Sequence, residues 1–193
     1  MTLLFAPAYP LETERLQLRP FTRADVDAVF AYRSLPAVAE YLTDQPMSHD
    51  ECAEAVRIRT GQFGFTSEGD RIVLALEQRH DGRLIGEVSL IWRSLANGQA
   101  EIGYVVHPDF WGRGLATEAA RAILDFGFSV IDLHRVYARC DARNLASAKV
   151  MERLGMRREA HFREHDRVKG RWDEEFVYAI LRRDWRDAAI ASD

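Results

Sequence analysis

An apolar strand, a glycine-bearing turn and an apolar-striped helix follow one another in the middle of the chain. Residues 101–106, Glu-Ile-Gly-Tyr-Val-Val, predict a buried strand, and Pro108 ends it because proline has no N–H to donate to a sheet. Small and apolar residues recur at helical spacing over residues 116–127. The chain must therefore make a sharp strand-to-helix junction around Gly112 and Gly114.

This junction predicts an anion site. The first turn of a helix leaves its N–H groups unpaired and carries the positive end of the helix dipole. Gly112 and Gly114 lack the side chains that would hold a phosphate away from the backbone. A P-loop is excluded because Leu115-Ala116 stands where Lys-Ser or Lys-Thr is required, and the dinucleotide fingerprint lacks its third glycine. The plain alternative is an ordinary strand-to-helix connection.

The rest of the chain alternates between strand and helix patterns. Capping-box sequences open helices at Thr22 and Ser48, and Gly155 ends a later helix. Turns of the kind that hairpins favour divide the strand patterns. The predicted strands are 15–19, 72–76, 84–92, 100–106, 135–140, 157–168 and 172–181, with turns at Asp81-Gly82, Asn97-Gly98 and Lys169-Gly170 and a helix over 145–154. This order predicts a chain that combines strands and helices.

Composition excludes several classes of protein. The chain has 193 residues, 47% of them hydrophobic, and no linker-like stretch, so residues 1–193 predict one domain. A formal net charge of −4 disfavours nucleic acid as a partner. Cys52 and Cys140 show no metal-ligand spacing and favour reduced thiols in a cytoplasmic protein. Residues 1–7 do not form a signal peptide, and no apolar segment approaches the roughly 20 residues of a membrane span.

Residues 107–120, His-Pro-Asp-Phe-Trp-Gly-Arg-Gly-Leu-Ala-Thr-Glu-Ala-Ala, resemble the acyl-CoA loop of the GCN5-related N-acetyltransferases. The family pattern is Gln or Arg, two residues, Gly, one residue, then Gly or Ala. Gly114 and Ala116 fill the last two positions. Trp111 stands at the Gln/Arg position, a departure common in the branch that acetylates ribosomal-protein N-terminal alanine or serine and in its small-molecule relatives.

The resemblance extends from residues 13–20 to residues 181–185 and implies a fold. The expected fold is α/β, of the α+β kind, with a mixed, mostly antiparallel central sheet and helices on both faces. The fourth and fifth strands of the family fold bulge and splay apart, and a backbone N–H exposed there stabilises the oxyanion. Here these strands correspond to 100–106 and 135–140.

Acetyl-CoA is the implied cosubstrate, and no metal is expected. The pantetheine arm would pair with main-chain groups of the fourth strand, and the pyrophosphate would sit on the glycine turn. The implied contacts are Val105, Val106, His107, Trp111, Gly112, Arg113, Gly114, Leu115, Ala116, Thr117, Asn144 and Ser147. His107 also invites a role as a base, but its place directly before Pro108 favours a turn role.

Acetyl transfer to an amine needs an amine that has lost its proton, a stabilised oxyanion and a thiolate that can leave. Glu101 matches the place where several family members carry their general base, and its alternative is a structural strand carboxylate. Asp166 and Glu164 are rival acids on the penultimate strand. In the ribosomal branch the proposed base falls near that strand, which makes Asp166 the stronger rival.

Many relatives protonate the leaving thiolate with a tyrosine, and Met151 replaces it here. Asn144-Leu145-Ala146-Ser147 resembles the Asn-x-x-Ser of the ribosomal branch, where Asn contacts the cofactor and Ser lies near its sulfur. The plain alternatives are an N-cap for Asn144 and an ordinary first-turn residue for Ser147. A thiol pKa of about 8.5 makes the thiolate a tolerable leaving group without an acid.

The resemblance implies an N-acetyltransferase that modifies a primary amine by direct transfer in a ternary complex. The acceptor is either a protein N-terminus or a small amine, such as an aminoglycoside-like compound, a polyamine or an amino acid. The alternative from another class is a catalytically silent module that senses acyl-CoA or scaffolds a partner. The late hairpin allows a homodimer, because such hairpins often pair across a dimer in this family.

Overall fold

A computed structural model describes residues 5–185, and a single sheet runs through them. The strands are β1 (Leu11–Glu12), β2 (Leu16–Pro20), β3 (Arg71–Gln78), β4 (Leu84–Ser94), β5 (Gln99–Val106), β6 (Arg135–Asp141), β7 (Arg157–Val168) and β8 (Arg171–Leu181). The helices are α1 (Val26–Arg33), α2 (Pro36–Ala39), α3 (His49–Arg59), α4 (Leu115–Ser129) and α5 (Leu145–Arg153). Short 3-10 turns lie at Arg23–Asp25 and Pro108–Phe110.

The strand order is β1-β2-β3-β4-β5-β6-β8-β7, and every neighbouring pair is antiparallel except β5 and β6. The parallel pairing joins only Gln99–Glu101 to Arg135–Tyr137. Beyond these residues the two strands separate, which confirms the expected splay. The register of β5 against β4 runs without a shift from Ala100 to Val106, so the expected bulge at the splay is absent from this pairing.

Both faces of the central strands are buried, and helices cover each face. In β3 the side chains of Ile72, Leu74 and Leu76 enter the larger core beneath α4 and α5. Val73 and Ala75 alternate with them and enter the smaller core beneath α1 and α3. Side chains in a strand point to opposite faces in turn, so a strand buried on both faces is apolar almost throughout. The expectation of helices on both faces is confirmed.

Most element bounds agree with the sequence prediction within about two residues, the usual uncertainty of such assignments. The capping box at Ser48 is formed, with Glu51 N donating to Ser48 Oγ at 3.3 Å and Ser48 N donating to Glu51 Oε2 at 2.7 Å. β1 and α2 were not predicted because two and four residues are too short for a period to show.

The helix expected at Thr22 begins as the 3-10 turn and becomes α1 only at Val26. Within residues 5–185, no helix combines the length and the apolar character that crossing a bilayer demands. The prediction that residues 1–7 do not form a signal peptide depends largely on residues 1–4, which lie outside the described residues.

Candidate functional site

A cavity of about 420 Å³ opens where β5 and β6 part. Two groups of side chains line it. The group from the splayed strands and α5 is Ile102, Gly103, Tyr104, Val105, Ala138, Arg139, Cys140, Asn144, Ser147 and Met151. The group from the other side includes Arg33, Tyr41, Asp44, Ile58, Arg59, Arg71 and Glu87. β5 runs directly from this cavity to the glycine turn, so one strand joins the two features.

The glycine turn has the backbone that its sequence predicts. Gly112 and Gly114 have φ of +73° and +78°, values that residues other than glycine rarely adopt. A Cβ added at Gly112 would meet nothing within 4 Å, so the turn presents bare backbone. The first bond within α4 runs from Glu118 N to the Gly114 carbonyl at 3.0 Å. The preceding N–H groups, of residues 115–117, have no helical partner and can bind an anion.

Two side chains hold this turn in place. The Trp111 indole donates to the Val106 carbonyl at 2.6 Å and ties the turn to the end of β5. Arg15 Nη1 donates to the Arg113 carbonyl at 2.9 Å, while its other nitrogens pair with Glu118 in the first turn of α4. A tryptophan at the Gln/Arg position of the family pattern thus performs a structural task here that needs only its N–H.

The remaining predicted cofactor residues of this region divide between backbone and packing roles. Leu115 points into the core, so only its N–H faces the turn. Ala116 is partly buried against the same core, and Thr117 Oγ1 is buried without a hydrogen-bond partner among the described residues. His107 Nδ1 accepts from Asp109 N at 3.2 Å, the arrangement of a turn residue that the sequence favoured.

Tyr104, Asn144 and Ser147 meet at the splay. Asn144 Oδ1 accepts from Ser147 N at 3.0 Å, so the N-cap expected at the start of α5 is present. The Tyr104 hydroxyl lies 2.9 Å from Ser147 Oγ and donates to the Ser147 carbonyl at 3.1 Å. Burial holds the pKa of Tyr104 above its usual range, against the lowering effect of its bond to Ser147. Tyr104 is therefore a neutral hydroxyl at neutral pH.

Cys140 also lines this part of the cavity, and burial raises the pKa of its thiol to about 12 although the Ser147 hydroxyl acts in the opposite direction. Met151 is fully buried beside it and carries no proton to donate. Sequence reasoning missed Tyr104 and Cys140. The only available signal was the alternation of β5, which places Tyr104 on the same face as the core residues Ile102 and Val106.

Glu101 is the last residue of β5 that pairs with β6, opposite Tyr137. Its side chain is 13% exposed and accepts from two guanidinium groups, Arg93 Nε at 2.9 Å and Arg139 Nε at 3.3 Å. Glu101 itself does not line the cavity, whereas Arg139 does. The carboxylate therefore lies at the apex of the splay, behind its arginine partner.

Asp166 and Glu164 lie on β7, the outermost strand, and both side chains are exposed. Asp166 stands opposite Asp173 in the hairpin, and its carboxylate accepts from Arg167 N at 2.7 Å. Neither acid lines the cavity. The structure thus brings Val105, Asn144 and Ser147 together and leaves the β7 acids apart from them.

A second polar cluster lies on the other wall of the cavity. Glu87 Oε1 accepts from Arg33 Nη2 and from Arg59 Nη2, each at 2.9 Å, and Glu87 Oε2 accepts from the Tyr32 hydroxyl at 2.9 Å. Burial first, and then the charge of Glu87, hold the pKa of Tyr32 well above its usual range. These residues come from α1, α3 and β4, so no sequence spacing pointed to them.

No group of three or more His, Cys, Asp or Glu side chains within residues 5–185 is arranged to hold a metal ion. The polar groups of the site are hydroxyls, guanidiniums, carboxylates and main-chain N–H groups. Such a set can bind an anion at the turn and an extended chain along the free edge of β5. It can also present hydroxyl protons where the strands part.

Comparison with known proteins agrees with this geometry. The profile of the acetyltransferase (GNAT) domain matches residues 15–157. The uncharacterized N-acetyltransferase YnaD of Bacillus subtilis (strain 168) is 33% identical over 175 residues, which cover 91% of this chain and 98% of the relative. The spermidine N(1)-acetyltransferase of Escherichia coli (strain K12) is 27% identical over 140 residues, 72% of each chain.

A solved structure shares the fold. The crystal structure of the acetyltransferase (GNAT family) from Bacillus anthracis superposes with a TM-score of 0.80 and 30% sequence identity. The match covers 89% of this chain and 98% of that one. The similarity therefore extends over most of the fold.

Proposed function

We propose that this chain, which belongs to the GNAT acetyltransferase family and is an N-acetyltransferase, transfers the acetyl group of acetyl-CoA directly to a primary amine. The single observation that carries the proposal is that β5, with a free edge beyond Glu101, joins the glycine turn to the cavity at the splay. The turn, the free edge and the cavity suit a pyrophosphate, a pantetheine arm and a reacting thioester.

The residues present fit this cosubstrate. Residues 111–117 would hold the pyrophosphate through main-chain N–H groups, since the positive φ of Gly112 and Gly114 aims bare backbone outward. Main-chain groups of Val105, Val106 and His107 would pair with the pantetheine arm like an added strand. The Val106 carbonyl already accepts from Trp111, and His107 N already donates to the Ile85 carbonyl at 2.7 Å, so these two groups are not free to pair with the arm.

Ser147 is the proposed proton donor to the leaving thiolate. As the new C–N bond forms and the C–S bond breaks, the amine loses one proton and the thiolate gains one. The bond between Tyr104 and Ser147 supplies a second hydroxyl behind the first, which compensates for the methionine at position 151. Asn144 fixes the first turn of α5 and so fixes Ser147. This pair favours a working enzyme over a silent acyl-CoA module.

Glu101 stays the proposed general base, because it lies at the apex of the splay. Its two arginine partners hold the carboxylate in one orientation, and Arg139 joins it to the cavity wall. Asp166 stays the rival, although it would have to reach the cavity from the outer strand. A homodimer through the β7–β8 hairpin stays a prediction.

Initial-rate kinetics test the proposal. Acetyl-CoA and a panel of amines, including peptides with free N-termini, are assayed by release of the CoA thiol, and the product is identified by mass spectrometry. Direct transfer gives intersecting double-reciprocal lines, whereas an acetylated enzyme intermediate gives parallel ones. Absence of any amine-dependent thiol release from a protein that binds CoA would refute the proposed function and favour the sensor.

A further inference from the structure

The wall of the cavity opposite α5 carries two buried guanidiniums on one carboxylate. Arg33 is the last residue of α1 and Arg59 the last of α3, and both bind the same oxygen of Glu87. The side chains of these three residues are 11%, 11% and 8% exposed. Tyr32 contributes only a neutral hydroxyl, so the two arginines and Glu87 give the cluster a net charge of +1.

A buried charge without a counter-charge is destabilising, so we expect other groups to offset the excess positive charge. The C-terminal carbonyls of α1 and α3 supply a part, because both arginines stand in the last turn of their helices. Arg33 Nε and Arg59 Nη1 remain buried without hydrogen-bond partners among the residues that the structure describes. The described partners within the protein therefore leave one nitrogen of each guanidinium without a hydrogen bond.

The other charges around the cavity do not reverse this balance. Arg139 is engaged by Glu101 and by Glu175, at 3.3 and 3.6 Å. Arg71 and Asp44 are exposed and opposite in sign. The charged side chains that line the cavity are four arginines, Arg33, Arg59, Arg71 and Arg139, and two acids, Asp44 and Glu87. A polycation such as a polyamine would enter a wall of its own sign.

The cluster also lies close to the reacting centre. Glu87 pairs directly with Val105 in the register of β4 and β5, and Val105 is at the free edge where the thioester would lie. Neighbouring strands are about 4.8 Å apart, and Arg33 and Arg59 line the same cavity as the residues of the splay. The cavity of about 420 Å³ is large enough to hold a small acceptor beside the thioester end.

We propose that the acceptor is a small amine that also carries a carboxylate, and that Arg33 and Arg59 bind this carboxylate while the amine faces the splay. The inference rests on the proposed function and narrows it to one substrate class. Guanidinium forks match carboxylates in shape as well as in charge, and an anion placed here neutralises the excess charge of the cluster.

The test uses pairs of acceptors that differ only in the carboxylate, such as phenylalanine with phenethylamine and β-alanine with ethylamine, together with spermidine. Thiol release from acetyl-CoA gives kcat/KM for each. In at least one pair we expect kcat/KM for the acceptor with the carboxylate to be tenfold or more above that for the acceptor without it. Spermidine should be a poor acceptor. In Arg59→Met this preference should fall at least fivefold while the KM for acetyl-CoA stays unchanged.

Arg57→Met is the matched control, because Arg57 lies on the same helix, is exposed and, among the described residues, forms its ion pair with Glu54 on the surface. It makes the same change of charge and should keep the preference. If Arg59→Met fails to fold, Arg59→Lys keeps the charge but not the fork, and the preference should be reduced without being lost. In the wild type, the carboxylic acid that lacks the amine should inhibit competitively against the acceptor.

Equal or better rates for amines that lack the carboxylate would overturn the inference and leave the N-acetyltransferase proposal intact. An unchanged preference in Arg59→Met would overturn the role of the arginines. If neither kind of amine caused thiol release from acetyl-CoA, the proposed function itself would be refuted. The three failures are therefore distinguishable.

Discussion

Gly114 offers a sharp test of the cofactor site, because one substitution adds both bulk and charge to the proposed pyrophosphate position. Gly114 is the N-cap of α4 with φ of +78°, and a Cβ built on it meets only Arg15 Nη2, at an ordinary 3.6 Å. Gly114→Ala therefore causes no clash and is destabilised only by the left-handed backbone. Gly114→Glu is destabilised in the same way and adds a carboxylate at the N-terminal end of the helix.

The expected magnitudes follow from these contacts. A left-handed residue with a side chain costs roughly 1–2 kcal/mol, which lowers the melting temperature of a chain of this size by a few degrees. The new carboxylate of Gly114→Glu offsets part of this cost by its favourable place near the helix N-terminus. Against a bound pyrophosphate, however, one unit charge about 6 Å from another costs about 3 kcal/mol at an effective dielectric constant of about 20. That corresponds to about 100-fold weaker binding.

Isothermal titration calorimetry with CoA measures the dissociation constant of both variants, and thermal melting confirms that each is folded. Gly114→Ala should bind CoA within about tenfold of the wild type, and Gly114→Glu should bind about 100-fold more weakly than the wild type. Raising the salt concentration should recover part of the loss in Gly114→Glu only, because the repulsion is screened. A folded Gly114→Glu variant with unchanged affinity for CoA would show that the cofactor binds elsewhere.

Three further outcomes are expected. Glu101→Gln should lower the acetylation rate by roughly 100-fold near neutral pH and recover in part at higher pH with CoA binding unchanged; full activity in Glu101→Gln together with loss of activity in Asp166→Asn would move the base to β7. Ser147→Ala should lower kcat only a few-fold because the thiolate leaves without much help, whereas Asn144→Ala should raise the KM for acetyl-CoA and loosen the start of α5; identical effects of the two variants would contradict these separate roles. Asp25 is nearly buried, and although burial acts to raise its pKa, hydrogen bonds from Arg19 and from Thr22 N lower it below its usual value. A lowered pKa in the folded state stabilises the fold above the ordinary carboxyl pKa of about 3.9, and this stability is lost as pH falls through the folded-state value. Asp25→Asn should therefore lower the free energy of unfolding in urea at pH 7 more than at pH 3, and an equal loss at both would refute the assignment.

The identity of nearly every element could be predicted from the sequence, because local patterns carry that information. Apolar runs bounded by turn residues mark β3 to β5, glycines with positive φ mark the turns, and the capping box marks the start of α3. The backbone of the anion turn was equally local, since Gly112 and Gly114 determine it with their immediate neighbours. The register that ends the β5–β6 pairing at Glu101 was implied only through the family resemblance.

The tertiary structure alone decided which side chains meet. Tyr104 approaches Ser147 because β5 and α5 pack together, and no spacing between positions 104 and 147 encodes that contact. Arg33, Arg59 and Glu87 converge only because α1 and α3 end over the same point of β4.

The same limit applies to the acids. The sequence left Glu101 as either a general base or a structural strand carboxylate, and only the pleat of the sheet shows that Arg93 and Arg139 lie on its own face. Asp166 was the stronger rival because the proposed base of the ribosomal branch falls near its strand, yet the order β6-β8-β7 puts it at the outer edge of the sheet. Sequence patterns specify elements through short-range periodicity, whereas a site depends on the order in which the sheet assembles them.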